Sequence, residues 1–213
     1  MSDQIATKLP DYGTRTDEIT LFAGPCSVES AEQFNEVAEC IAGLGLTWIR
    51  GGAFKPRTNP HSFQGLGEEA LKIMAGAGQK YGLKTLTEVM DSAHCEMVHS
   101  YVDGLQVGAR NFQNFSLLKN IGHVTRDSHK MVLFKRGFAG TISEWLSACD
   151  YITMEGNDNV VLCERGIRTF ETATRFTLDI AAVPVIHKQS LCPVCIDVSH
   201  PAGQRDLVPS LAF

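Results

Sequence analysis

The stretch Trp48–Gly67, WIRGGAFKPRTNPHSFQGLG, shows the strand, loop and helix pattern on which the predicted fold depends. It begins as a short apolar strand, breaks at a Gly-Gly pair, and returns to helix-forming sequence near its end. Arg50, Lys55 and Arg57 fall on this stretch, where glycines let the backbone approach a ligand and prolines lower the entropy cost of ordering the loop. The pattern suits an anionic ligand, although a solvated basic loop is the simpler alternative for one such segment.

The same strand, loop and helix pattern recurs along the chain. Short apolar runs predict seven strands: Ile19–Ala23, Trp48–Arg50, Lys84–Glu88, Gly104–Val107, Met131–Lys135, Val160–Cys163 and Val194–Asp197. Apolar positions at helical spacing predict the helices between them: Ser30–Leu44, Glu68–Tyr81, Ser92–Tyr101, Ser116–Asn120, Thr141–Glu155, Thr169–Ala182 and a last one starting at Asp206. We expect Pro184 to end the helix that precedes it.

This alternation predicts parallel strands covered by helices, either as a doubly wound sheet or as a (β/α) barrel. The loop AGPCSVES after the first strand lacks the spacing of a dinucleotide-binding fingerprint. Conspicuous polar residues follow the strands all the way round, where a barrel has its active site. They are Cys26, Arg50, Lys55, Glu88, Arg110, Lys135, Arg165 and His200.

We therefore predict a (β/α)8 TIM barrel that is incomplete, with about seven strands present. Residues 1–18 would be a polar lead-in, and residues 19–213 a single catalytic domain. A complete barrel of this kind needs about 250 residues. The chain has 213, and we expect the last strand and helix to be missing at the C-terminus.

Composition narrows the function classes. The chain is 44% hydrophobic and carries a net charge of −5, which argues against nucleic acid or an anionic membrane surface as the main partner. It contains no apolar run of transmembrane length and no signal peptide, so its seven cysteines are expected to be reduced thiols in a cytoplasm. The CPVC at Cys192 and Cys195 approaches a strand, whereas a thioredoxin-type motif opens a helix.

Basic residues at the strand ends carry the main functional prediction. Arg50, Lys55, Arg110, Lys135 and Arg165 each lie at or just after the carboxyl end of a predicted strand. Parallel strands bring these ends to one edge, so an acidic protein concentrates positive potential there and attracts a multiply anionic small molecule. A single basic residue at a strand end is more often paired with a neighbouring Glu. The recurrence of basic residues at several strand ends is what favours binding of an anionic ligand.

Cys26 and His200 add a second feature. They follow the first and last predicted strands, which would be near neighbours across the gap in an unclosed barrel. A thiolate and an imidazole can share a divalent metal, but two ligands alone do not make a site, and a packed Cys and a hydrogen-bonded His are the alternative.

Six segments resemble one enzyme family: AGPCSVES, RGGAFKPRTNPHSFQG, VGARNFQN, LFKRG, CERGIRTFET and DVSHPAGQRDLV. They are similar to 3-deoxy-D-arabino-heptulosonate 7-phosphate (DAHP) synthase of the type I beta group, a relative of KDO 8-phosphate synthase. The resemblance runs from about Thr20 to Leu211. It implies a transferase with a (β/α)8 barrel that condenses phosphoenolpyruvate with D-erythrose 4-phosphate and releases phosphate, in the shikimate pathway to chorismate and the aromatic amino acids.

The resemblance also implies roles for individual residues. Arg50 and Lys55 would face phosphoenolpyruvate, and Gly108, Ala109, Arg110, Lys135 and Arg165 would hold its carboxylate and phosphate. Arg57 and Thr58 would receive erythrose 4-phosphate, and Glu88 would orient water or a cation. Lys55, Cys26 and His200 would be catalytic, with Cys26 and His200 as ligands of a divalent cation such as Mn²⁺.

One departure from the family pattern leaves alternatives open. The Glu and Asp that complete the family's metal shell follow the eighth strand, so we expect two of the ligands to be missing. A non-catalytic remnant that binds phosphoenolpyruvate is one alternative, and KDO 8-phosphate synthase is another, although KPRT speaks against it. We expect small-molecule substrates, no nucleic acid or membrane partner, and a homo-oligomer, either dimer or tetramer.

Overall fold

A computed structural model describes residues 19–55, 59 and 61–212. Arg57, Thr58 and the predicted lead-in lie outside these residues. Within them the chain forms one sheet of seven parallel strands whose spatial order is the order of the chain. The strands are β1 (Phe22–Ala23), β2 (Trp48–Arg50), β3 (Lys84–Val89), β4 (Gly104–Val107), β5 (Met131–Lys135), β6 (Val160–Glu164) and β7 (Val194–Ile196).

Helices connect the strands. They are α1 (Ala31–Gly43), α2 (Glu68–Tyr81), α3 (Cys95–Tyr101), α4 (Phe115–Thr125), α5 (Ile142–Thr153), α6 (Ala182–Gln189), α7 (Ser199–Ala202) and α8 (Val208–Ala212), with 3₁₀ turns at Ser92–His94, Ala109–Asn111 and Arg205–Leu207. Two predicted starts have side-chain caps. The Ser30 hydroxyl accepts from the Gln33 amide, and Thr141 and Glu144 form a reciprocal capping box.

The sheet separates two apolar layers. On one face Trp48, Leu86, Met131, Leu133, Val161 and Cys163 pack together. The other face packs against the helices, with Phe34, Phe134 and Trp145 among its fully buried side chains. Because successive side chains of a strand point to opposite faces, every strand except β4 contributes to both layers. The seven strands thus form the greater part of a (β/α) barrel wall with a small inner core, which confirms the predicted incomplete TIM barrel.

One predicted helix is wrong. Residues 169–181 form a loop, and the helix begins only at Ala182. The loop is Thr-rich, and its polar side chains bond locally: Thr169 and Thr177 share a hydroxyl hydrogen bond of 2.6 Å, and the Glu171 carboxylate accepts from two backbone amides. Such bonds compete with helical ones. Pro184 does not end a helix but lies in the first turn of α6, where amides have no intrahelical acceptor.

No helix of the described residues is long and apolar enough to cross a membrane.

Candidate active site at the carboxyl edge of the sheet

Strand alternation places several polar side chains on the inner face. Trp48, Leu86 and Leu133 belong to the inner core. Two residues further along each strand come Arg50, Glu88 and Lys135. Asp197 likewise comes two residues after Cys195, which packs against the inner core. The inner face therefore changes from apolar to charged at the carboxyl edge, where parallel strands all end.

Lys55 and Arg50 contact the loop after β1. The Lys55 ammonium donates to the Cys26 carbonyl at 2.6 Å and lies 3.1 Å from the Cys26 Sγ, while Arg50 donates to the Pro25 carbonyl at 2.6 Å. Gly52 makes this approach possible, since a Cβ there would lie 2.7 Å from the Cys26 carbonyl oxygen. Lys55 and Cys26, two of the three residues predicted to be catalytic, are thus in direct contact.

Glu88 lies within reach of four cations. Burial raises the pKa of its carboxyl, while the charges of Lys135, Lys55, Arg50 and Arg110 act in the opposite direction. The Gln106 amide on the neighbouring strand donates to Glu88 at 3.2 Å. Four residues from three segments of the chain, all predicted to bind substrate, therefore act on one carboxyl group.

Gly108 leaves room for this carboxyl. A Cβ at position 108 would overlap the Glu88 carboxylate, so only glycine fits beside it. Ala109 and Arg110 follow at once in the 3₁₀ turn Ala109–Asn111. The VGAR segment thus brings Gly108 against the site and starts the turn that carries Arg110.

Asp197 joins Lys135 to His200. Its Oδ2 accepts from the Lys135 ammonium at 2.8 Å and lies 2.6 Å from Nδ1 of His200. Burial alone would raise the pKa of Asp197, but the His200 hydrogen bond and the Lys135 charge hold it well below its usual range. Asp197 raises the pKa of His200, yet burial and Lys135 outweigh it and leave that pKa below its ordinary value. His200 is therefore neutral at pH 7, with Nδ1–H directed at Asp197.

Arg165 and Arg110 lie beside a stacked phenylalanine pair. The Arg165 guanidinium is 4.0 Å from the Phe176 ring centroid and 5.1 Å from that of Phe138, and Arg110 is 5.8 Å from Phe138. Arg165 is buried, with 3% of its surface exposed, and burial lowers its pKa first of all, with the Arg175 charge adding to this and Asp197 opposing it.

A second charged group supports this edge from the outer face. The Arg136 guanidinium bonds the Glu164 carboxylate at 2.9 Å and the Asp179 carboxylate at 2.8 Å, and its Nε donates to the Gly140 carbonyl. The other Glu164 oxygen accepts from the Gly166 amide at 2.7 Å. This network fixes the backbone on both sides of Arg165.

The described residues offer two donors for the implied metal rather than a complete site. No group of three or more His, Cys, Asp or Glu side chains in residues 19–55, 59 and 61–212 is placed to hold an ion. His200 is suited to such a role, because the Asp197 bond to Nδ1 leaves the Nε2 lone pair available. The Cys26 Sγ lies 3.1 Å from the Lys55 ammonium.

The structure thus brings together Arg50, Lys55, Glu88, Arg110 and Lys135, and connects Lys135, through Asp197, to His200. Sequence reasoning missed Asp197, although a carboxylate directly after a strand and three residues before a His was a usable signal. It also missed Arg136 and Glu164, which adjoin predicted residues. Arg175 was hidden by the wrong helix prediction, and Arg168 directly precedes that predicted helix.

The fold and the site define a class of protein: a (β/α) barrel with a group of basic side chains at the carboxyl ends of its strands. The chain belongs to the DAHP synthetase I family, which it matches over residues 12–213.

Individual relatives agree with this assignment. The chain is 51% identical over 193 residues to a phospho-2-dehydro-3-deoxyheptonate aldolase of Thermotoga maritima, covering 91% of this chain and 56% of that protein. A crystal structure of the Thermotoga maritima aldolase, also titled DAHP synthase, superposes with a TM-score of 0.85 at 50% identity, over 90% of this chain and 54% of that one. A 2-dehydro-3-deoxyphosphooctonate aldolase of Thiobacillus denitrificans is 30% identical, covering 90% of this chain and 72% of that protein. The chain thus spans about half the length of the first two relatives.

Proposed function

We propose that the chain carries the condensing site of a DAHP synthase, which joins phosphoenolpyruvate to D-erythrose 4-phosphate and releases inorganic phosphate. The observation that supports this most directly is the convergence of Arg50, Lys55, Arg110 and Lys135 on the Glu88 carboxyl. The 51% identity to the Thermotoga maritima aldolase supports the choice of reaction. The enzyme would serve aromatic amino acid biosynthesis in the cytoplasm.

The proposed roles follow from the charges and their positions. Arg110, Lys135 and Arg165 hold the phosphate and carboxylate of phosphoenolpyruvate, and Lys55 reaches its carboxylate. Forming a carbon–carbon bond between two polyanions requires that both be held in register, and fixed guanidinium and ammonium groups provide this without reorganising during the reaction. Arg57 and Thr58, outside the described residues, are proposed to receive erythrose 4-phosphate.

DAHP synthases as a family use a divalent metal. Cys26 and His200 are the donors that we propose for it in this chain. Bound there, such an ion would polarise the aldehyde carbonyl of erythrose 4-phosphate. Two donors alone do not complete a coordination shell, and the described residues hold no group of three such donors.

The incomplete donor set favours one alternative, a chain that binds phosphoenolpyruvate without turning it over. It is supported by the four basic residues that act on Glu88, together with the lack of a group of three metal donors among the described residues. KDO 8-phosphate synthesis has weaker support, since the phosphooctonate aldolase is the more distant of the relatives.

Calorimetry and turnover separate these functions. We expect phosphoenolpyruvate to bind the full chain with or without Mn²⁺, and Lys135→Met to weaken binding by about 30-fold or more, since it removes one partner of a desolvated charge pair. Lys80→Met removes an exposed cation on α2 and should leave phosphoenolpyruvate binding almost unchanged.

Turnover then distinguishes the three functions. Release of phosphate with erythrose 4-phosphate supports the DAHP synthase, and binding of phosphoenolpyruvate without release supports the non-catalytic chain. Release only with arabinose 5-phosphate supports KDO 8-phosphate synthase. A folded chain that does not bind phosphoenolpyruvate would exclude all of them. Light scattering tests the proposed homo-oligomer.

A further inference from the structure

Four arginines surround a pair of stacked phenylalanine rings at the mouth of the barrel. The rings of Phe138 and Phe176 lie parallel, with centroids 5.3 Å apart and an interplanar angle of 6°. The distances from guanidinium to nearest ring centroid are 5.8 Å for Arg110, 4.0 Å for Arg165, 5.7 Å for Arg168 and 5.7 Å for Arg175. Arg110 and Arg165 belong to the site proposed above, whereas Arg168 and Arg175 have no role in it.

The four arginines of this group lack direct salt-bridge partners among the described residues. Within the described part of the chain, none of the four arginines takes part in an ion pair. Arg136, by contrast, is neutralised by two carboxylates. Burial lowers the pKa of Arg165 first of all, and repulsion from the Arg175 guanidinium adds to this lowering. Guanidinium groups do not lose their charge at any ordinary pH, so an anion is what relieves this repulsion.

Arg168 and Arg175 lie on a loop that backbone hydrogen bonds and packing contacts hold in position. The Arg168 amide donates to the Phe138 carbonyl at 2.7 Å, and Ile167 and Thr177 form an antiparallel bridge. Arg175 packs against Gly203, where a Cβ would lie 2.6 Å from the Arg175 Cβ. Both side chains remain exposed. The loop therefore holds two solvent-facing guanidinium groups beside the inner cations.

We propose that Arg168 and Arg175 form an outer phosphate subsite, which binds a phosphate dianion above the Phe138–Phe176 stack. Planar guanidinium groups match phosphate oxygens in pairs, and the aromatic faces orient the guanidinium planes. The dianion is either a phosphate ester arriving at the inner cations or inorganic phosphate leaving them. The inference rests on the proposed function only for naming these two sources.

Arginine modification of the wild-type full chain tests the subsite without requiring turnover. The chain is treated with p-hydroxyphenylglyoxal, and the modified arginines are followed by peptide mass spectrometry. Inorganic phosphate at ten times its Kd should slow the modification of Arg168 and Arg175 by about tenfold, since about one site in eleven stays empty. Arg126, an exposed arginine paired with Asp127, serves as the internal control, and sodium chloride at equal ionic strength controls for screening.

The outcomes separate the subsite from the proposed function. Protection by both phosphate and phosphoenolpyruvate supports a subsite on the substrate path, and protection by phosphate alone supports one for the released product. Either result stands even if the chain shows no turnover. Protection of Arg165 alone by phosphoenolpyruvate, or protection of Arg168 and Arg175 no greater than that of Arg126, overturns the subsite and leaves the inner site untouched.

A pair of charge-matched variants gives a second measurement. Arg168→Gln with Arg175→Gln should weaken phosphate binding by about tenfold or more, since hydrogen bonds to charged groups are lost. Arg126→Gln with Lys80→Gln removes the same charge from α2 and the end of α4 and should leave the affinity unchanged. Equal losses in the two variants would mean that the effect is one of net charge, and the subsite would be rejected.

Discussion

Asp197 and His200 form a hydrogen-bonded pair just after β7, with Oδ2 of Asp197 2.6 Å from Nδ1 of His200. The second partner of Asp197 is the Lys135 ammonium at the end of β5. One buried carboxylate therefore orients both an imidazole proposed to bind a metal and an ammonium proposed to bind substrate. This arrangement fixes which ring nitrogen of His200 carries the proton.

Replacing Asp197 should change the His200 tautomer. At pH 8 in the wild type we expect the proton on Nδ1, and in Asp197→Ala we expect it mainly on Nε2, because the acceptor is gone. Long-range ¹H–¹⁵N correlation spectra report the protonated nitrogen directly. Asp197→Asn, which keeps an acceptor oxygen, should restore part of the Nδ1–H form. An Nε2–H signal in the wild type would contradict this arrangement.

Glu88 should make the protein less stable as the pH rises. Its folded pKa is raised by burial, so between the unfolded value and the raised value the folded state holds more protons than the unfolded state, and stability falls with increasing pH. Glu88→Gln removes this dependence. It should raise Tm relative to the wild type at pH 7, and the difference should disappear below the ordinary pKa of a free Glu carboxyl, about 4.3. Exposed Glu36→Gln controls for the lost charge, and an equal gain at both pH values would refute the burial argument.

Arg136→Met should be strongly destabilising. It leaves the fully buried Glu164 without its charge partner, and breaking a buried ion pair costs about 3–5 kcal/mol. Arg126→Met breaks the exposed pair with Asp127 and should stay within about 0.5 kcal/mol of the wild type. Urea denaturation measures both, and similar losses in the two variants would show that Arg136 and Glu164 are not coupled.

Gly108→Ala should displace the Glu88 carboxylate, since a Cβ at this position would overlap it. We expect a loss of about 1–3 kcal/mol from overpacking, together with weaker binding of phosphoenolpyruvate. Gly76→Ala is the matched control, because a Cβ there meets no atom within 4 Å and the residue lies inside α2. That change should stabilise the protein by about 0.5–1 kcal/mol. If the two variants behave alike, Gly108 is not restricted by Glu88.

Local sequence patterns were sufficient for most of the framework. Strands β2, β4 and β5 and helix α2 lie within the predicted bounds, because each is an apolar run or amphipathic segment bounded by glycine or polar residues. The convergence of cations was also predictable, since parallel strands end at one edge and alternate inward and outward. The helix predicted at 169–182 failed because its threonines and Glu171 satisfy the local backbone instead.

What the sequence could not supply is the pairing between distant segments. The contact of Lys135 with Asp197 joins residues 62 positions apart, and no local pattern specifies it. The same holds for Arg136 with Asp179 and for the stacking of Phe138 on Phe176. Roles carried over from a family describe single positions, whereas these contacts depend on how the loops meet in three dimensions.

The order of strands in the sheet has a consequence for biosynthesis. Every strand from β2 onward pairs with the strand that precedes it in the sequence. During synthesis, each strand that leaves the ribosome can therefore pair with a strand that has already been made. Lys135 is synthesised long before Asp197, and it stays without its counterion until β7 has docked. The Lys135–Asp197 contact at the carboxyl edge of the sheet therefore forms only after β7 has been synthesised.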